Sequence, residues 1–308
     1  LWAHFFDRLG FHPVLTPPTN SRISKAGIES AVEGVCYPVK VSHGHIKELC
    51  GKTKYLFIPS MITMPTPRVP ERGRFCPMVM SNSYMVRMAL GLNPATILTP
   101  VVHLKYNPEA LVLEIFKQLK AKLGVSKTLI RNSLCYALER QRQFIRDVYQ
   151  HGCEILENHP SREPIMVVTG RPYNLYDERL NLSLGQNLAK IGIHALPMDF
   201  IDTRPVDLSD FSSMYWGLGA QILRTALWIK QRPNCFGLHL TNFGCGADSF
   251  VEHFYKYIMG NRAYLILELD EHSAVAGVMT RLEAYKHVIE NSMGKLEMFS
   301  EHKLKIAI

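Results

Sequence analysis

Three of the seven cysteines sit where a thiol could do chemistry. In "LTNFGCGADSF", Leu240–Phe250, Cys245 lies between two glycines at the end of an apolar run, and Asp248 or Ser249 is placed to cap a following helix. Structural cysteines usually pack inside elements as small hydrophobes. Cys245 is instead expected in a turn, over backbone N–H groups at the positive end of a helix dipole, which suits a nucleophile or a metal ligand. Cys36, in "EGVCYPVKVSHGHIKEL", and Cys76, in "GRFCPMVMSNSYMVRMAL", are each followed by a proline suited to a first helical turn, Pro38 and Pro77. All three share one expected address, a loop running into a helix N-terminus. In open α/β sheets, loops at the carboxyl ends of strands converge on the ligand crevice. Three thiolates from two domains would suit an iron–sulfur cluster, whose negative charge helix N-termini favour. From spacing alone, simple packing of each thiol and a cysteine-nucleophile enzyme such as an acyltransferase, with Cys245 activated by a histidine, stay open as alternatives.

The other four cysteines read differently. Cys50 ends a helix, Cys135 and Cys153 fall in a long helical stretch, and Cys235 begins a strand, so all four are expected as buried or half-buried small hydrophobes. An odd count, no Cys-x-x-Cys spacing and no signal segment point to a reducing, cytoplasmic setting and away from disulfides or a zinc ribbon. His43 and His45 follow Cys36 on the same expected helix and could bond sulfide or move protons, or simply pack. Lys40, nearer the helix start, could tune a cluster or be an ordinary solvated lysine. In "ELDEHS", strand periodicity puts Glu268 and Asp270 on one face, with Glu271 and His272 beyond. General acid–base work and an ion-pair network with Arg281 both fit them. His45, Glu268 and His272 are the candidate catalytic groups. "TGRPYN" places Arg171 after a strand, where it could grip a phosphate or carboxylate.

The elements that must position these groups alternate. "KYLFIPSM", "TILTPVV", "PIMVVTG", "HALPMDFI", "CFGLHLTNFG" and "RAYLILEL" read as strands, as does "HPVLT" near the start. Helices are expected at Ser24–Glu33, from Pro38, from Pro77, at Asn181–Ile191, Met214–Lys230, Ser249–Met259 and Ala274–Asn291. Alternation of this kind predicts α/β architecture with parallel sheets. Apolar residues from Ile130 to Ile155 recur at helical spacing and predict a long helical connector. The expected organisation is an α/β domain over residues 1–125, a connector over 126–159 and a second α/β domain over 160–308, both doubly wound with a cleft between them.

The 308 residues, 47% hydrophobic and 20% charged, allow two cores, and no apolar run approaches a membrane span. The net charge of +8 favours an acidic partner. Its charges are dispersed, the densest basic stretch holding only Arg68, Arg72 and Arg74, so nucleic acid is not the expected partner. No Walker sequence is visible, and "GLGA", Gly217–Ala220, is too short for a nucleotide fingerprint. Starting at Leu1 rather than Met, the chain reads as part of a longer polypeptide.

Together, "CYPVKVSHGHI", "FCPMVMS", "VTGRPYNLYDERLN", "NFGCGADSF" and "ELDEHSAVAGVMTRLEAY" resemble the CoA-enzyme-activase-associated domain over nearly the whole chain. That domain is related to the electron-accepting subunits of 2-hydroxyacyl-CoA dehydratases and benzoyl-CoA reductases and to double-cubane cluster proteins. The resemblance implies two Rossmann-like domains and a 4Fe–4S cluster on Cys36, Cys76 and Cys245, with one iron lacking a protein thiolate. It also implies an acyl-CoA-type substrate and an ATP-hydrolysing activase, separate or fused upstream, that injects a low-potential electron. A homodimer or heterodimer is consistent with it, as is a non-catalytic electron-relay or scaffold role. The family commonly has Pro where this chain has Ala247.

Overall fold

The structure is a computed structural model describing residues 1–66, 73–105, 107–160 and 162–306, with side chains as far as residue 294. Arg68 and Arg72 lie outside the described residues. The chain divides into two compact units: residues 1–148 with 211–220, and residues 149–210 with 221–308. Among the described residues every pairing between strands is parallel. The α/β class expected from alternating patterns is therefore present.

The first unit begins with α1 (Trp2–Arg8), α2 (Ser21–Ser30) and α3 (Tyr37–Leu49). β1 (Leu56–Phe57) and β2 (Ser60–Thr63) follow along the chain, then α4 (Pro77–Ala89), β3 (Ile97–Leu98) and β4 (Val101–His103). α5 (Pro108–Leu123) and α6 (Lys127–Asn158) come next, and α6 runs on past residue 148 into the second unit. β1 pairs with β3 and β2 with β4. Each ladder is short because Pro59 and Pro100, which have no N–H to donate, interrupt the two chains between their halves. Pairing nevertheless continues across the gap, through Ile58 N–H to Leu98 O (2.8 Å) and Ser60 N–H to Pro100 O (2.8 Å). The main core is helical: Phe5, Leu111, Ile115, Leu119, Ile130 and Leu134, from α1, α5 and α6, pack with Leu98 and Val102.

"HPVLT" forms no strand; residues 11–17 take no regular structure. The run pairs with no strand among the described residues and ends in Pro17–Pro18. α5 is an element the strand–helix pattern does not anticipate, although Asn107 caps it through Glu109 N–H (2.9 Å), Pro108 starts it and Gly124 ends it in the left-handed region (φ 66°).

The second unit contains β5 (Ile165–Gly170), α7 (Pro172–Tyr176), α8 (Leu184–Lys190), β6 (His194–Pro197), α9 (Gly217–Lys230), whose first turn belongs to the first unit, and β7 (Cys235–Asn242). α10 (Gly246–Met259), β8 (Tyr264–Leu269) and α11 (Val275–Ile306) complete it. Its sheet has the order β6-β5-β7-β8. One face carries Met166, Val168, Phe236, Leu238 and Leu240 against Leu184 and Leu188 of α8 and Val278, Leu282 and Tyr285 of α11. The alternate residues face α10. Gly237 leaves room there for Tyr255, whose hydroxyl would lie 2.2 Å from a Cβ at that position. Cover on both faces explains why all eight residues of β7 are buried.

Candidate functional site

Cys36, Cys76 and Cys245 each occupy the N-cap of a helix, α3, α4 and α10 respectively, all with extended backbone. In none does the thiol itself cap the helix. Each carbonyl accepts the opening bonds instead: Val39 and Lys40 N–H to Cys36 O (3.0 and 3.3 Å), Val79 and Met80 N–H to Cys76 O (2.9 and 3.0 Å), and Ser249 N–H to Cys245 O (3.0 Å). Proline in the first turn of α3 and α4 presets φ and removes an N–H that would have no partner in the helix.

Within the first unit the topology brings Cys36 and Cys76 to one end. α3 leads through a short loop into β1, α4 through another into β3, and those strands are parallel. The C-terminal ends of both helices pack on β1 and β3, through Ile46 and Leu49 from α3 and Val86 of α4 with its C-cap Leu90. Both N-termini therefore lie towards the other end of the strands. Phe75 N–H, one residue before Cys76, bonds Ile62 O of β2 (3.0 Å). Ser42 and Asn82, each six residues beyond its cysteine, meet between the helices at 3.2 Å.

In the second unit Cys245 follows β7 at a topological switch point: the chain leaves β5 for β6 on one side and returns to β7 on the other. Gly244, at φ 73°, makes the turn, and Cys245 N–H donates to Asn242 O (3.0 Å). Cys245 is buried. α10 starts at Gly246, before the expected Ser249, so Asp248 and Ser249 lie inside its first turns rather than capping it. Ser249 Oγ donates back to Cys245 O (2.8 Å).

Asp248 has another partner. Arg171 Nε and Nη2 both donate to its Oδ1 (3.1 and 2.7 Å), and Thr241 Oγ1 donates to its Oδ2 (2.8 Å). Both side chains are at most 2% exposed. Burial works against either charge, but each outweighs it for the other: Asp248 is held below and Arg171 above its ordinary range. The carboxylate that Arg171 grips is thus the chain's own. This pair escaped sequence reading because its members stand 77 residues apart and meet only when β5 and β7 pair. Gly170 permits the approach, since a Cβ there would lie 2.6 Å from Leu240 O.

Of the candidate catalytic groups, His45 lies in the first unit and Glu268 and His272 in the second. His45 ties the N-terminal segment to α3, its ring nitrogens bonded to Thr16 (2.7 Å) and Thr19 (2.8 Å) hydroxyls. Glu268, on β8, pairs in register with Thr241 of β7. Asp270 closes a turn on itself, its Oδ1 accepting from His272 N–H and Ser273 Oγ (both 2.9 Å), and leaves the His272 ring exposed. Arg281 donates to Ile266 O (2.6 Å), a backbone partner rather than an acidic one. His43 is fully buried, and neither ring nitrogen has a hydrogen-bond partner among the described residues. Burial lowers its pKa; the Ser30 backbone and Asn82 side chain, its polar neighbours, oppose that shift without reaching bonding geometry.

Of the remaining cysteines, Cys235 is buried and its thiol is pushed up to about 11 by burial. Cys50 is half-buried. Cys135 and Cys153 are exposed, a correction to the expectation of packed thiols: an amphipathic helix has a wet face, and they lie on it.

Among the described residues no three His, Cys, Asp or Glu side chains gather as they would around a single metal ion. A cluster spreads its ligands more widely than one ion does. Among the described residues no helix is long and apolar enough to cross a membrane.

No curated protein and no solved structure matches the chain. A profile of the family described as CoA enzyme activase uncharacterised domain (DUF2229) matches residues 1–201, a stretch that includes Cys36 and Cys76. With about two thirds of its length matched, the chain belongs to the CoA enzyme activase uncharacterised domain family.

Proposed function

We propose that the chain is an iron–sulfur redox component with Rossmann-like units, binding a 4Fe–4S cluster through Cys36, Cys76 and Cys245. In this reading it takes a low-potential electron from an ATP-dependent activase and passes it to an acyl-CoA-type substrate. The observation that carries the reading is the shared N-cap position of the three cysteines. At that position the first N–H groups of a helix and its dipole favour negative charge. None of the three thiols is committed to capping, so the donor chemistry suits thiolate ligation. When bound, a cluster would supply one-electron chemistry. The residues around it would do the rest: Pro38 and Pro77 fix two of the N-termini, and the Gly244 turn fixes the third. With three protein thiolates, one coordination position of a cube is left to another ligand.

The test is anaerobic reconstitution of the full chain with ferrous iron and sulfide, with both quantified and the product followed by Mössbauer and EPR spectroscopy. About four irons and four sulfides per chain are expected for a single cube. Protein that takes up neither would sink the proposal. A cluster that loads and cycles without turning over any acyl-CoA thioester would make the chain an electron relay.

A further inference from the structure

Asp248, in the first turn of α10 and three residues past Cys245, forms a buried ion pair with Arg171, which follows β5. A buried ion pair is seldom retained for stability alone, because desolvation offsets most of its attraction. We propose that the pair is the positioning device of Cys245: Asp248 ties the first turn of α10 to the end of β5, and Arg171 cancels the carboxylate charge at a helix end meant for another anion. The inference rests on the cluster reading above.

The geometry supports both halves. Asp248 is held from two strands, by Arg171 just after β5 and by Thr241 in β7, so the turn 242–245 between β7 and α10 is closed from below. The turn is also held at its side, where Asn242 Nδ2 and Phe243 N–H both donate to Leu269 O (3.2 Å each) at the end of β8. A carboxylate in the first turn, taken alone, would compete with an anionic ligand for the same helix terminus. Paired with a buried guanidinium, it contributes little net charge.

The pair should therefore set the reduction potential of a cluster on Cys245, with opposite signs for its two members. The experiment is a dithionite redox titration, read by EPR, of the reconstituted full chain and its variants. Arg171→Gln, titrated in alkaline buffer so that the buried carboxylate stays ionised, leaves that charge uncompensated, and the ratio of reduced to oxidised cluster at a fixed poise should fall about tenfold. Asp248→Asn leaves the guanidinium uncompensated, and the ratio should rise by a similar factor. A residue that merely stabilises the fold would not produce opposite shifts. If either variant fails to fold, the near-isosteric Thr241→Val removes one hydrogen bond from Asp248 and should lower the ratio about threefold, while Thr241→Ser restores it. Shifts in one direction, or equal potentials throughout a loaded series, would overturn this inference alone. Wild-type protein that takes up no iron would overturn it together with the cluster reading.

Discussion

Gly27 and Gly44 face each other where α2 crosses α3, and neither position has room for a methyl group. A Cβ on Gly27 would lie 2.1 Å from Lys40 O, and one on Gly44 would lie 2.0 Å from Ile23 O. Both obstacles are backbone, so a flexible side chain cannot relieve them. The crossing sets α3, and with it the position of Cys36. Gly27→Ala and Gly44→Ala are each expected to destabilise the protein by about 3 kcal/mol, measured as a fall in urea midpoint. Gly277→Ala on α11, where nothing lies within 4 Å of the new Cβ, is the control and should be neutral or stabilising. Equal midpoints for Gly44→Ala and Gly277→Ala would show that the helices do not cross this closely.

Acid should loosen the fold through its buried histidines. His43 and His239 are both fully buried, and burial lowers both pKa values from 6.5. The native state keeps these rings neutral while the unfolded chain binds protons as pH falls below about 6.5. Stability is therefore intact above that value and is lost as pH drops from it through the folded-state values. His43→Phe removes two buried nitrogens that lack partners. It should match the wild type at neutral pH and lose less of its Tm between about pH 7 and pH 5.5. A wild type whose Tm declines no faster than the variant's over that range would remove His43 from the account.

The cysteine addresses were legible because local chemistry dictates them: Cys-Tyr-Pro, Cys-Pro and Gly-Cys-Gly each mark a chain entering a helix. The strand cores were legible from apolar runs, but not their lengths, since Pro59 and Pro100 already stand inside "KYLFIPSM" and "TILTPVV" as signs of interruption. α5 carries every local helix signal, Asn107–Pro108 before it and Gly124 after it, but breaks the strand–helix alternation because α6 follows it directly. What could not be read is what depends on distant pairing. Arg171 meets Asp248, and Thr16 and Thr19 meet His45, through folds of the chain that no local pattern encodes.

Division of the cysteines by address leads to a paired substitution. Cys245→Ala should abolish most iron uptake on anaerobic reconstitution and the broad visible absorption that accompanies it. Cys135→Ala should change neither, and because that side chain is exposed its effect on stability should stay within about 0.5 kcal/mol. Matching iron loss in the two variants would mean that the N-cap position does not select the ligands.

The last expectation concerns the source of the electron. Low-potential reduction needs an energy input, yet no Walker sequence is visible in the chain. The chain alone is expected to show no ATPase activity, and an activase with ATP is expected to reduce the reconstituted protein. A net charge of +8 favours an acidic docking surface on that partner, so the reduction rate should fall as salt is raised and the Debye length shrinks from about 10 Å at 0.1 M towards about 3 Å at 1 M. The measurement is the EPR signal of the reduced state at several salt concentrations, with activase and ATP present or omitted. Full reduction by dithionite alone, with no further change on adding activase and ATP, would remove the activase from the scheme. A rate that does not depend on salt would leave the partner in place but remove charge as the means of its docking.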